Sequence, residues 1–225
     1  SMTAMNINII VTGLAGFLIA PYGWLSTFPL SLQFIITMFA TFPTSLLMSV
    51  FGRKIIFVIG ALSTSMGGIL MAVALFQKLF FLFCFGSILL GLGHASSLFY
   101  RYAATETVPN MAKPKAMSLV LSAGLIAALL GPKIYQVSAE IYLDSLYAGS
   151  FIMISIVQLI SIPFILNIKI PLPLKTSSGG RKVSEIFFDG SMIRAVISAA
   201  GGYGIMSFLM TATPLQIINI CKFGV

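Results

Sequence analysis

Charged residues fall along this chain in short clusters separated by long apolar runs. Residues 1–52 contain no Asp, Glu, Lys or Arg, and the stretches 55–77, 79–100, 116–132, 145–168 and 195–221 are equally free of them. Each of these five gaps is close to the roughly 20 residues that an α-helix needs to cross a bilayer. The uncharged opening stretch is too long for one helix. Pro21, Gly23 and Pro29 around Trp24 supply a turn, with an aromatic residue suited to the membrane interface. The pattern therefore predicts spans at 7–22 and 28–51 ahead of the other five, about seven in all. The runs are continuously apolar, without the period-two alternation of a transmembrane barrel. Helices are the remaining way to satisfy every backbone group in lipid.

Composition agrees. The 225 residues are 58% hydrophobic and 8% charged, far below the quarter or so of charged residues usual in soluble domains. The expected fold class is an all-α polytopic transmembrane helical bundle, and the expected first partner is the lipid bilayer. The net charge of +8 is explained by topology. With a cytoplasmic N-terminus, the loops after spans two, four and six carry Arg53, Lys54, Arg101, Lys113, Lys115, Lys169, Lys175, Arg181, Lys182 and Arg194. The opposite face carries Lys78, Lys133 and Lys222. This is the lysine and arginine bias of cytoplasmic loops, and it predicts a bacterial inner (plasma) membrane protein with its N-terminus in the cytoplasm. A nucleic-acid partner is rejected, because the cations are spread over separate loops with no soluble domain to present them.

Residues 7–22 follow no basic region and precede no small-residue cleavage site, so a retained helix is expected rather than a signal peptide. Cys84 and Cys221, lacking metal-ligand spacing, read as apolar filler. The longest polar segment, 169–194, contains Pro171, Pro173 and the run Ser177, Ser178, Gly179, Gly180, which marks a flexible connection. The domain expectation is a six-helix bundle over 1–168, a cytoplasmic inter-bundle loop over 169–194, and the first helix of an incomplete second bundle over 195–225.

Three segments in order carry a resemblance. The stretch SLLMSVFGRKIIFVIG, residues 45–60, resembles the signature loop between helices two and three of the major facilitator superfamily of transporters, with Gly52, Arg53, Lys54 and Gly60 matching. Ser45 stands where that pattern has glycine, and Ser49 and Val50 stand where it has aspartate and arginine. LLGLGHASS, residues 89–97, looks like the family's glycine-containing segment of helix four, with Ser87 where an arginine is common. GLIAALLGP, residues 124–132, resembles its helix-five signature through Gly131 and Pro132, with Ala127 in place of a glycine. The connection YRYAATETVPNMAKPKAMS, residues 100–118, also resembles that family's link between helices four and five. The resemblance implies two six-helix bundles around a central solute pathway, each built from two inverted three-helix repeats, here 7–77 and 79–168. Local physics offers a second account of these residues. Gly52 permits a tight turn, Arg53 and Lys54 anchor at headgroups, small residues let helices approach, and Pro132 bends its helix.

A solute pathway at mid-bilayer needs polar lining, where an ionisable side chain costs about 2.5 to 3.5 kcal/mol on insertion scales unless paired or hydrated. His94 is the only histidine and the one titratable Asp, Glu, His, Lys or Arg side chain well inside a predicted span. Two roles fit it: a reversible proton site in the pathway, or a neutral ring hydrogen-bonded between packed helices. Arg101, with Tyr100 beside it, fits an anionic-solute contact, a pairing with Glu106, or an ordinary cytoplasmic anchor. Gln33 and Gln158 either line the path or join helices. Glu106, Glu140, Asp144, Glu185 and Asp189 map to loops or span ends, so no membrane carboxylate supports proton antiport, and protons enter as a coupling partner only through His94.

The sequence shows no paired carboxylates, metal-ligand cluster or base-oriented nucleophile within the spans, so no enzyme activity, metal or cofactor is expected. The leading expectation is a secondary transporter of the major facilitator type, moving a small solute by alternating access. As this chain it is expected to be incomplete, requiring a missing C-terminal half or another membrane chain. The alternative is a non-transporting membrane protein, a sensor or assembly partner on a degenerate transporter scaffold.

Overall fold

The computed structural model describes residues 2–139, 147–168 and 189–221. Those residues form α1 (Met2–Ile19), a short 3₁₀ turn (Gly23–Leu25), α2 (Phe28–Phe51), α3 (Arg53–Gln77), α4 (Phe80–Ser97), α5 (Tyr100–Glu106), a second 3₁₀ turn (Asn110–Ala112), α6 (Lys113–Ala139), α7 (Ala148–Asn167) and α8 (Gly190–Cys221). Six described helical stretches are long and apolar enough to cross a membrane, and the shorter Thr3–Ile19 precedes them. The chain divides into two compact units, Ser1–Leu172 and Pro173–Val225.

The first unit buries polar side chains within an apolar core and turns large apolar side chains outward. Asn8, Thr12, Gln33, Ser65, Ser87, Ser155 and Gln158 are buried, whereas Phe39, Phe42, Phe81, Leu119, Leu125 and Phe164 point outward. Outward aromatic and aliphatic side chains need lipid around them, and inward polar ones need each other. The protein is a polytopic helical bundle of the membrane.

With lipid outside, apolar burial does little to drive helices together, and close packing and interhelical hydrogen bonds take over. Small residues supply both. Gly67 and Gly86 set α3 against α4 so closely that a Cβ on Gly67 would sit 2.8 Å from the Gly86 carbonyl oxygen, and one on Gly86 would sit 2.9 Å from that of Gly67. Thr37 Oγ1 donates across from α2 to the Gly91 carbonyl of α4 at 3.1 Å. Between α3 and α7, Ser65 Oγ donates to the Ser155 carbonyl at 3.0 Å and Ser155 Oγ returns a bond to the Ser65 carbonyl at 2.8 Å. Bonds of this kind in membranes contribute about 0.6 kcal/mol each, up to about 1.7.

The segment between α2 and α3 is one residue long. Gly52 takes φ 84°, ψ 152° and donates its N–H back to the Met48 carbonyl at 3.1 Å, a conformation that side-chain-bearing residues avoid. The turn expected from the 45–60 signature is therefore made by Gly52, while Gly60 lies further along α3 with its Cα against Ser96 of α4.

Several element ends differ from the charge-gap expectation. The helix α1 begins at Met2 rather than at residue 7. The expected span 79–100 is interrupted at Leu98 and Phe99, and α5 then continues to Glu106. The longest difference is α6, which takes in Lys113, Lys115 and Lys133 although the uncharged run covers only 116–132. Lysine stems lie along apolar surface with the ammonium in water, so helical hydrogen bonding outlasts the apolar run.

In the second unit, the expected inter-bundle loop 169–194 lies outside the described residues up to 188, and its last residues already belong to α8. Asp189 caps that helix, accepting the Ser191 N–H on Oδ1 at 3.0 Å. Arg194 Nε donates to the Gly190 carbonyl at 3.1 Å within the first turn. Glu140, Asp144 and Glu185 also lie outside the described residues.

Candidate functional site

Five helices of the first unit bring neutral polar side chains together around one small cavity of about 20 Å3. Asn8 comes from α1, Gln33 from α2, Thr64 from α3, His94 and Ser97 from α4, and Gln158 from α7. Thr64 and Gln158 fall near the middle of their helices, and His94 near the middle of the stretch Phe80–Glu106, so the polar floor sits deep in the bundle. Among the described residues the lining holds no Asp, Glu, Lys or Arg.

One side of the cavity is wired in a definite direction. Thr12 and Asn8 are four residues apart on α1, hence on one face. Thr12 Oγ1 donates to Asn8 Oδ1 at 2.8 Å, and Asn8 Nδ2 donates to Gln33 Oε1 at 2.8 Å. Gln33 is thereby tied to α1 through its side-chain carbonyl oxygen.

The other side is unsatisfied. His94 is only 7% exposed and Gln158 only 2%, yet neither ring nitrogen of His94 and not Oε1 of Gln158 meets a hydrogen-bond partner among the described residues. The imidazole meets the Phe34 ring edge-on, at 6.4 Å between centroids. A buried polar group left unpaired costs about 1 to 3 kcal/mol. Native cores remove such groups unless something else uses them.

The sequence candidates thus separate. Gln33, His94 and Gln158 converge on the cavity, whereas Tyr100 and Arg101 stand elsewhere. Tyr100 packs edge-on against Phe57 at 4.6 Å and lines a second, apolar cavity of about 360 Å3 with Phe164 and Ile165. Arg101 Nε donates to the Leu98 carbonyl at 3.4 Å, and its guanidinium carbon lies 5.9 Å from the Tyr102 ring centre. The expected pairing of Arg101 with Glu106 is corrected: Glu106 Oε1 accepts from Arg53 Nη2. Five positions on a helix place two side chains on different faces, and the start of α3 reaches Glu106 instead.

The Glu106 side chain is 41% exposed, and half-exposed pairs contribute about 1 kcal/mol or less, screened by salt. Glu106→Gln is therefore expected to lower the thermal midpoint only slightly at low ionic strength. The difference from wild type should vanish at high salt, as thermal unfolding at two salt concentrations would measure.

Lys54 follows Arg53 in the first turn of α3, half-buried. Gly131 on α6 is buried, with room for a Cβ only 3.2 Å from Asn6 Cβ. Pro132 continues α6 in its backbone, and its side chain lies outside the described residues. Sequence reasoning missed Asn8, Thr12, Thr64 and Ser97. A signal existed for the first two: a carboxamide and a hydroxyl four apart inside an apolar run. Among the described residues no three His, Cys, Asp or Glu side chains gather as a metal site.

No protein-family model matches this chain, and no solved structure matches it. The chain is 30% identical over 217 residues to a protein named riboflavin transporter RfnT from Brucella anthropi, an alignment covering 95% of this chain and 54% of that protein. The chain spans about half the length of the curated relative it matches. A membrane bundle with a polar interior cavity is thus similar in sequence to a protein named as a membrane transporter.

Proposed function

We propose that this chain belongs to a secondary transporter of the major facilitator type, and that its solute is a small uncharged molecule, riboflavin in the first instance. The observation that carries the reading is the cavity in which His94 and Gln158 hold buried, unpartnered polar atoms. Such atoms are expensive in a membrane bundle that does nothing but hold itself together. A solute would supply the missing partners on binding and withdraw them on release. The neutral lining favours an uncharged solute, because a buried ion would find no counter-charge there. Riboflavin has the required chemistry, an uncharged flavin ring with amide-type donors and acceptors, and the similarity to a riboflavin transporter supports it.

Gln33, His94 and Gln158 are the solute-contacting residues in this reading, and alternating access is movement of other helices around them. The packing of α3 on α4 and on α7, with the Thr37 bond that ties α2 to α4, makes those three the fixed wall in this reading. The excess of Lys and Arg at one set of loops supports a cytoplasmic N-terminus in a plasma membrane.

The test is uptake of radiolabelled riboflavin by membrane vesicles carrying the full-length gene product, against vesicles lacking it. Saturable uptake that excess unlabelled riboflavin suppresses is expected. No difference between the two preparations would overturn the riboflavin assignment. If a panel of other neutral solutes also fails, the chain is a sensor or assembly partner on a transporter scaffold.

A further inference from the structure

The apolar cavity between α3, α5, α6 and α7 has a chemistry of its own. Its space of about 360 Å3 falls within the range of about 300 to 1,000 Å3 that holds small organic ligands. Two hydroxyls in its wall are spent within their own helices: Thr107 Oγ1 donates to the Ala104 carbonyl at 2.9 Å, and Ser161 Oγ to the Gln158 carbonyl at 2.6 Å. Phe164 and Ile168 line the cavity and are also exposed, Phe164 by 70%, so its rim belongs to the surface that meets lipid. A space walled mostly by carbon and bordering the bilayer suits a hydrocarbon chain.

One end of this cavity is basic. Arg53 lies four residues before Phe57 on the same face of α3, about 6 Å along the axis. Its Nη2 donates to Glu106, the chain neighbour of Thr107 in the cavity wall. Its Nη1 is buried without a hydrogen-bond partner among the described residues. Lys113 stands two turns before Val120 on the same side of α6. Across 53–54 and 100–118 the chain carries Arg53, Lys54, Arg101, Lys113 and Lys115 against Glu106 alone, so this end favours an anion. We propose that the crevice seats one anionic phospholipid of the surrounding bilayer, with an acyl chain in the apolar cavity and the phosphate accepting from Arg53 Nη1. Basic pockets between membrane helices bind lipid headgroups, and a guanidinium matches the geometry of phosphate oxygens. The proposal is independent of which solute the protein carries.

Native mass spectrometry of the purified full-length gene product, titrated with dioleoyl phosphatidylglycerol or dioleoyl phosphatidylcholine, tests this. The two lipids share their chains and differ in net charge. The wild type is expected to bind phosphatidylglycerol about 5- to 30-fold more tightly, the effect of one or two basic contacts. In Arg53→Gln that preference should shrink to within about threefold. Ala104→Phe fills the cavity and should weaken binding of both lipids alike, by about 10-fold. Glycerophosphoglycerol, the same headgroup without chains, should fail to displace the lipid. Should Ala104→Phe not fold, that competition on the wild type decides whether the chain is held. Equal binding of the two lipids by the wild type, or an unchanged preference in Arg53→Gln, would overturn the proposal. Displacement by the soluble headgroup would also overturn it, leaving a site for free anions only. Wild-type affinity in both variants would mean annular lipid only, and would overturn it as well.

Discussion

A protein carrying His94→Leu is expected to lose transport by about 100-fold or more while unfolding at a higher temperature than the wild type. The two effects have one cause. His94 is buried with both ring nitrogens unpartnered among the described residues, a standing penalty of about 1 to 3 kcal/mol that an apolar side chain of similar size removes. Its ring already lies beside Phe34, so leucine meets a compatible neighbour. The same change deletes a hydrogen-bonding group from the cavity wall, and the solute loses a contact that water provides outside. Stability gained where function is lost is the usual signature of a strained or unsatisfied site. The measurement is paired: solute uptake by the full-length gene product, and thermal unfolding in detergent. Retained uptake would remove His94 from the site. A lower unfolding temperature would show that its nitrogens are satisfied after all.

Gly67→Leu is expected to disrupt the first unit outright. The new Cβ would sit 2.8 Å from the Gly86 carbonyl oxygen and 3.0 Å from the Leu90 backbone nitrogen. Both obstacles are backbone, so no rotamer change relieves them, and α3 must move off α4. Overpacking of a well-packed core costs about 1 to 3 kcal/mol, sometimes more. Here the displaced helices also carry Thr64 and His94, so the cavity opens with them. Size-exclusion chromatography in mild detergent should show most of the variant aggregated. Gly13→Ala is the matched control. Nothing lies within 4 Å of where its Cβ would be, and alanine is the better helix former by about 1 kcal/mol, so that variant should elute as the wild type does.

The membrane bundle was legible because it depends on a coarse property, the distance between charges. The stretch 28–51 coincides with α2 because Pro29 and Gly52 bound it with strong local signals. Where no such signal exists, helix ends depart from the charge gaps. Leu98 and Phe99 interrupt the helix without a glycine or proline, and α6 runs on through lysines that the charge rule treats as ends. The site was legible in part. Gln33, His94 and Gln158 stood out as polar residues in apolar runs, but a single run cannot say which neighbours will face them. Asn8 and Thr12 matter only through Gln33, 25 residues beyond Asn8 and on another helix. Glu106 shows the same thing in reverse. Its neighbour in sequence is Arg101, yet the residue that reaches it is Arg53, brought there by the turn at Gly52.

The single tryptophan of this chain, Trp24, sits in the turn between α1 and α2, 77% exposed and stacked on Tyr22 at 6.3 Å. Indole emission from this chain therefore originates at one known place, the rim where the first two helices meet. Its wavelength would report how wet that rim is, and brominated lipids of graded chain position would quench it according to depth. The chain thus carries a built-in optical gauge of where its bundle rides in the bilayer, with no label attached.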